Sequence, residues 1–250
     1  MKITFLGVGS ATDPNYPNVS VHVEGKKSSI ILDCGTSIAQ ALINRQDIMT
    51  TVDGIYISHR HGDHFFGLPT VLMRMRELNR KKPLVIFGHA GIKKFVQAAL
   101  ALAYSTFLGE QPDLPYSLRY AEFEQNKKMF GLGFGLAPTI HGETNYAVRI
   151  TEGNKSVVYS GDGMFTEQGR KLYRGCDLLI HESFTIDETF RGHAMATDLI
   201  KMSKEENVKA LALVHFRETV RAGDLARLRT IIKKEKINAF VPEPGTMLVI

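Results

Sequence analysis

The chain has no tryptophan, and only two of its 250 residues are cysteine, Cys34 and Cys176. Two thiols cannot build a disulfide framework or a cysteine-rich zinc module. Long apolar runs are missing too. The longest, Ala98–Tyr104, has seven residues, against roughly 18 for a bilayer span, so a transmembrane helix is excluded. The apolar stretch within Met1–Gly7 is too short for a secretory leader, which places the expected site of action in the cytoplasm. No repeat period, low-complexity tract or Pro/Ser-rich linker divides the sequence, and one domain over 1–250 is expected. Neither sign of charge dominates: 31 basic and 26 acidic residues leave +5. That excess is too mild to single out a polyanion partner. With 44% hydrophobic and 23% charged residues, the chain can bury a large core and is not disordered.

What the sequence has in unusual concentration is histidine, nine in all. Three fall in Ser58-His59-Arg60-His61-Gly62-Asp63-His64. This segment follows directly on a β-rich run, Gly54–Ile57. A loop leaving a strand can aim alternate residues into one cavity. Imidazole suits zinc, iron and manganese, and the carboxylate adds a harder donor. Four donors in six residues are too many for one open catalytic ion once distant ligands join. The pattern therefore predicts two ions, with His59 and His61 on one and Asp63 and His64 on the other.

Around this cluster the periodicities alternate. Strands are predicted at Lys2–Leu6, Val19–Val23, Ser29–Leu32 and Pro83–Gly88, and again near 118–124, 129–138, 146–151, 156–159, 178–180, 211–214, 238–241 and 247–250. Helical spacing appears in Leu68, Val71, Leu72 and Met75, with Pro69 in the first turn. It returns in Ile92, Phe95, Val96, Ala99, Leu100 and Ala103, in 197–207 with Thr197 as N-cap, and through Leu225, Leu228 and Ile232. Two halves of this style suit an α/β architecture, an αββα sandwich of two mixed sheets packed face to face with helices outside.

His-x-His-x-Asp-His after a strand resembles the signature of the metallo-β-lactamase superfamily. Phe5–Ala11, Leu32–Gly35, Gly62–Pro69, Pro83–Gly88, Ser160-Gly161-Asp162, Ile180–Ser183 and Gly192-His193-Ala194 resemble, in order, motifs of its ribonuclease Z-like branch. The resemblance implies that His141 completes the first metal site with His59 and His61. It implies that His215 completes the second with Asp63 and His64, and that Asp162 bridges both ions. Zinc is the default metal, with manganese or iron(II) as substitutes. The implied activity is that of a dinuclear metal-dependent phosphodiesterase using a metal-bridging hydroxide, with Asp63 also orienting that water or accepting its proton. His193 would protonate the leaving group and Glu182 would hold its ring. Asp33 is expected to brace the ligands from behind. His181 is left without a role, His22 and His89 read as structural or surface residues, and Cys34 as a small buried hydrophobe.

The chain departs from that branch in three places. Between His141 and Asp162 lie only 20 residues, already filled by two predicted strands and the turn Glu152–Lys155, so the protruding arm of tRNA-maturing relatives has no room. After His215-Phe216 the branch commonly has Ser-x-Arg-Tyr, where this chain has Arg217-Glu218-Thr219-Val220. An Arg-Asn pair near the N-terminus is Pro17-Asn18 here. Substrates consistent with the resemblance are therefore RNA 3′ ends or small diesters such as cyclic nucleotides. Sulfate esters of an arylsulfatase are an alternative on the same site. A non-catalytic metal- or nucleic-acid-binding protein is the alternative of another class. Arg74, Arg76, Arg80, Lys81 and Lys82, and Arg221, Arg227, Arg229, Lys233 and Lys234, form two basic groups that either steer a polyanion or line the outer faces of helices. No aromatic-interleaved surface pattern for single-strand stacking is evident. A homodimer is expected, with Val71–Met75 as its candidate surface.

Overall fold

The computed structural model describes residues 1–107, 113–123 and 126–250. Its strands in chain order are β1 Lys2–Gly7, β2 Ser20–Glu24, β3 Ser29–Leu32, β4 Gly54–Ile57, β5 Leu84–Gly88, β6 Leu118–Glu122, β7 Lys127–Met129, β8 Leu132–Ile140, β9 Tyr146–Glu152, β10 Lys155–Tyr159, β11 Met164–Phe165, β12 Leu178–Glu182, β13 Leu211–Val214, β14 Ala239–Phe240 and β15 Met247–Val249. The helices are α1 Ile38–Leu42, α2 Gln46–Thr51, α3 Gly62–Phe65, α4 Leu68–Glu77, α5 Ile92–Ala103, α6 Glu167–Tyr173, α7 Ala196–Glu205 and α8 Leu225–Glu235.

Among the described residues, one sheet runs β15-β1-β2-β3-β4-β5-β6, and the other β11-β8-β9-β10-β12-β13-β14 with β7 beside β8. Each sheet begins antiparallel and turns parallel, at β3–β4 in the first and β10–β12 in the second. Three apolar layers result. Ile30, Leu32, Tyr56 and Phe87 of the first sheet meet Phe134, Ile150, Tyr159 and Ile180 of the second. Ile31 and Ile55 face the other way, onto α1, α2, α4 and α5. Leu179 and Leu213 face α6 to α8. Strands buried on both faces read as unbroken apolar runs, which is why Gly54–Ile57 and Leu211–Val214 lack alternation. The αββα sandwich expected from the sequence is the fold observed.

The parallel stretches decide where chemistry can occur. In open sheets a crevice forms beyond the carboxyl ends of parallel strands. Here β3 delivers Asp33, β4 Ser58 and His59, β10 Ser160–Asp162, β12 Glu182 and β13 His215. All of them leave at that end.

Several boundaries differ from the sequence reading. The run at 129–138 is not one strand but a hairpin, β7 and β8, turned through Phe130 and Gly131, both at positive φ (58° and 78°). That pairing is the signature of a tight two-residue turn. Glu124, the end of the expected strand 118–124, lies outside the described residues. Thr197 is not the N-cap of α7. Met195 holds that position without a side-chain cap, and Thr197 instead directs its amide and hydroxyl to the Ile186 carbonyl, at 3.0 and 3.2 Å. The Thr185–Met195 bridge draws the chain into that register. The short helices α1, α2 and α6 show too few turns to display a period. In the expected dimer surface, Val71, Leu72 and Met75 are wholly buried and serve the core, while Met73 and Arg74 are half-buried.

The two basic groups are largely engaged. Arg74 pairs with Glu77, Arg76 with Asp113 and Arg227 with Asp187. Arg221 is buried over the Tyr16 ring, 3.9 Å from its centroid. Arg80 is the largest fully buried side chain. Its guanidinium donates to the carbonyls of Met49 (2.7 Å), Lys82 (2.8 Å) and Pro83 (3.0 Å), and also to that of Val52. It thus ties the end of α2 to the turn before β5. Removing it strands several buried acceptors, each worth about 1–3 kcal/mol. Arg80→Ala should lower the unfolding free energy in urea by at least ~3 kcal/mol. Arg80→Lys should recover only part, because an ammonium cannot span that fork. A loss below 1 kcal/mol would contradict the staple.

Candidate metal centre

The site is assembled around Asp33. Its backbone sits in the left-handed region (φ 58°), a strained conformation for a residue with a side chain. Its carboxylate is fully buried. It accepts from the Ser58 amide (2.7 Å), the Ser58 hydroxyl (2.6 Å), the Tyr159 hydroxyl (2.6 Å) and His64 Nδ1 (2.7 Å). The last contact fixes His64 with its proton on Nδ1, so Nε2 is the free donor atom. Ser58 Oγ, having given its proton to Asp33, can only accept from His59 Nδ1, at 3.0 Å. His59 therefore also presents Nε2. Asp33 thus lies directly behind His64 and, through Ser58, behind His59.

His141 is oriented the same way. Its Nδ1 lies 2.9 Å from the Gly192 carbonyl, which makes it the protonated nitrogen. Nε2 then faces His61 Nδ1 at 3.1 Å. Asp162 enters from the turn after β10. Asn145 donates to the Asp162 carbonyl (2.6 Å), the Ser160 carbonyl (3.0 Å) and Thr139 Oγ1 (2.7 Å), and so fixes the turn. Gly161 in that turn has φ +59°, and a Cβ there would lie 2.3 Å from Asn145 Oδ1, so no other residue fits. His215, like Asp33, is at positive φ (57°). Its amide bonds to the Val8 carbonyl at 2.9 Å, which turns the ring toward Asp63 (3.1 Å) and Asp162 (3.6 Å).

Two quartets emerge, each with its donor atoms within 4.8 Å of one another: His59, His61, His141 and Asp162, and Asp63, His64, Asp162 and His215. Asp162 belongs to both. All seven residues expected from the sequence are thus brought together. The donor set fits divalent ions. Buried His59 Nε2, His64 Nε2 and Asp162 Oδ1 have no hydrogen-bond partner, a costly condition that a cation would relieve. The electrostatics agree. Burial alone would raise the carboxyl of Asp63, yet the imidazoles of His64 and His215 hold it well below the usual carboxylate range. Asp162, also buried, is held low by His215 and His64. Conversely, burial would depress His64, but Asp162, Asp63 and Asp33 push it well above its ordinary value. The pocket keeps its negative charge and draws positive charge to it.

A third group lies beside the second quartet. Glu182 is buried and accepts from the amides of Gly163 (2.9 Å), Ala194 (2.9 Å) and Phe184 (3.0 Å). His193 Nδ1 lies 3.2 Å from its Oε1. The His193 ring stacks on Phe184, 4.5 Å between centroids, and lies 6.1 Å from His215. His181 points to the opposite face of β12, Nδ1 to the Glu182 carbonyl at 2.7 Å and its ring against Tyr173. Strand alternation makes it a packing residue. His22 is buried away from the site, and burial lowers it to about 4. His89 is buried and stacks on Tyr146. Cys34 is buried as expected.

Sequence reasoning missed Tyr159, Asn145 and Thr139. Each lies far along the chain from the residue it supports and carries no motif of its own. Ser58 could have been found from its place immediately before His59. Two aromatic side chains are exposed, Phe66 at 60% and Phe190 at 40%; they come from segments too distant to form an interleaved sequence pattern.

Over residues 1–236 the chain matches the family described as "Anti-Pycsar protein Apyc1". It is 27% identical to the ribonuclease Z of Methanosarcina acetivorans, over 86% of this chain and 87% of that protein. Among solved structures, the metallo-β-lactamase fold protein YhfI from Bacillus subtilis superposes with a TM-score of 0.81 at 24% identity, covering 99% of this chain and 98% of that one. Human tRNase Z, short form, gives 0.80 at 22%, covering 100% and 99%. The resemblance to the metallo-β-lactamase superfamily and its ribonuclease Z-like branch is borne out.

Asp33→Asn keeps the shape of the buried hub and removes its charge. It should weaken zinc binding by about 10–100-fold, the usual cost of losing a carboxylate behind a ligand histidine. Competition with a chromogenic chelator measures this, and an unchanged affinity would remove Asp33 from the support of the ligands.

Proposed function

The chain belongs to the anti-Pycsar protein Apyc1 family, and on that premise and the geometry of the cleft we propose that it is a metal-dependent phosphodiesterase with a two-ion centre. The observation that carries the reading is the pair of quartets sharing Asp162, with the Nε2 atoms of His59 and His64 buried and unpartnered. His59, His61, His141 and Asp162 would hold one divalent ion, and Asp63, His64, His215 and Asp162 the other. Zinc is the first choice; manganese or iron(II) suits the same imidazole and carboxylate donors. Such ions supply a water ionised near neutral pH and Lewis acidity toward a phosphoryl oxygen.

The chain's own residues do the rest. Asp63, beside His64 and His215 and 9% exposed, can orient an attacking water and receive its proton. His193 is no part of either quartet. Its Nδ1 is turned to Glu182, so Nε2 is the atom left to deliver a proton to a departing alkoxide. Glu182, anchored by three amides, would hold that ring in place. Phe184 packs against its face and limits the water around it.

A small diester is the substrate class we favour. Between His141 and Asp162 the chain forms only β9, β10 and their turn at Gly153, with no protruding arm there to grip a folded RNA. RNA 3′-end processing is the second reading, supported by similarity to a protein named ribonuclease Z. An assay panel of bis-p-nitrophenyl phosphate, a cyclic nucleotide, an aryl sulfate and a precursor tRNA separates these.

Metal-replete protein should contain two ions per chain by elemental analysis, and Asp162→Ala should lose metal and all hydrolysis together. Well under one ion per chain would sink the reading.

His193→Ala should keep both ions. Its rate on an alkyl diester should fall by about 10²–10⁴-fold, while a p-nitrophenyl diester, whose leaving group needs little protonation, should suffer far less. Glu182→Gln keeps one carbonyl oxygen for the Gly163 and Ala194 amides and loses the acceptor that faces Phe184, and it should give a milder version of the same selectivity. Equal losses on both substrates at equal metal content would refute the acid role of His193.

A further inference from the structure

The loop Ser183–Ala194 carries His193 over the centre, and its tip holds a feature the proposed chemistry does not use. Phe190 is 40% exposed. Its ring is 4.8 Å from Phe184 and 5.7 Å from His193, centroid to centroid. Phe184 in turn lies 6.2 Å from the His215 ring. One layer of aromatic rings thus separates Phe190 from a residue of the second quartet. The Arg217 guanidinium lies over the Phe190 ring, 5.9 Å from its centroid, and the Arg217 amide bonds to the Phe184 carbonyl at 2.9 Å, which keeps the two segments together. Arg217 is exposed. Unlike Arg60, Arg76 and Arg227, which pair with Glu143, Asp113 and Asp187, it makes no ion pair among the described residues.

A half-exposed phenyl ring at the mouth of a polar cleft is an unfavourable surface by itself, because its apolar area remains in water. Here it is supported from behind by Phe184 and His193, so its outward portion has a fixed position. Beside it stands a cation free to meet an anion. A rigid flat surface next to an unpaired guanidinium, within two rings of the metal ligands, suits a substrate that joins a flat ring to a phosphodiester.

We propose that Phe190 is a specificity-determining residue that stacks on an aromatic ring carried by the substrate, with Arg217 meeting the charge of the adjoining phosphate. The proposal rests on the phosphodiesterase reading above and deepens it. The shared chemistry is an aromatic ring a few bonds from the scissile phosphorus, whether a nucleobase or an aryl group. Phe190 contributes binding, not proton transfer, so its removal should appear in KM and leave kcat nearly unchanged when substrate saturates.

The test uses metal-replete full-length protein and three substrates: a nucleoside cyclic phosphodiester, the same cyclic diester on a ribose bearing a methoxy group instead of the base, and methyl phenyl phosphate. Phe190→Ala should raise KM on the nucleotide by about 5–100-fold, the range for losing one base–aromatic stack. It should leave the base-free diester unchanged. A rise on methyl phenyl phosphate as well assigns the ring site to any aryl group, and a rise on the nucleotide alone assigns it to a base. Both support the proposal. Phe190→Trp should restore KM, while Phe190→Leu, apolar but not flat, should not. Arg217→Gln should raise KM on all three substrates by a similar factor that shrinks with added salt. An equal KM change on the nucleotide and the base-free diester in Phe190→Ala would overturn the proposal. So would a change in sedimentation without a KM change, which would assign the ring to contact between copies. Wild-type protein that hydrolyses none of the three substrates would instead count against the phosphodiesterase reading.

Discussion

One buried carboxylate organises this molecule. Asp33 has no solvent and four hydrogen-bond donors. Those donors come from both sheets: Ser58 and His64 follow β4 in the first, and Tyr159 ends β10 in the second. An ionised carboxylate without such partners would be expelled or neutralised. With them it becomes the fixed point from which the tautomers of His64 and His59 are set. The left-handed backbone at Asp33 is part of that arrangement, since it turns the carboxylate out of the strand direction and into the seam between the sheets.

The consequence for the cleft is pre-organisation. A donor atom that must rotate before binding an ion weakens the site. Here Nδ1 of His59, His64 and His141 is committed to a hydroxyl, a carboxylate and a backbone carbonyl respectively. Three Nε2 atoms are thereby aimed into the cleft. The polar protein around them comes from strand ends and the turns that follow, which a rigid double sheet holds in place. The loop from Ser183 to Ala194 then sets His193 and the rings of Phe184 and Phe190 beside the buried Glu182 at the end of β12.

Much of this was legible in the sequence. His59, His61, Asp63 and His64 stand within six residues after an apolar strand, so local spacing alone announces a centre. The double sandwich followed from strands that alternate with amphipathic helices. His141, Asp162 and His215 lie far apart, and nothing in their immediate neighbours names them; motif resemblance supplied them. Tyr159 and Asn145 were out of reach for a different reason. A tyrosine ending a strand and an asparagine in a turn are ordinary in sequence, and only the register of β10 against its neighbours puts one on Asp33 and the other around Asp162. Thr197 illustrates the converse. Its local chemistry suits an N-cap, but the Thr185–Met195 bridge had already set where the helix would begin.

The division of donors between the sheets has an effect on folding itself. His59, His61, Asp63 and His64 belong to the first half of the chain, and His141, Asp162 and His215 to the second. Ions held between them would act as rivets across the seam, absent from the unfolded chain and therefore stabilising by mass action. The supply of divalent cation would then govern how firmly the two halves stay joined, as well as whether the cleft is competent. A chain synthesised without metal would carry a cluster of carboxylates and imidazoles at its centre, neutralised only by borrowed protons, and would be most vulnerable to opening along the line where its chemistry is meant to occur.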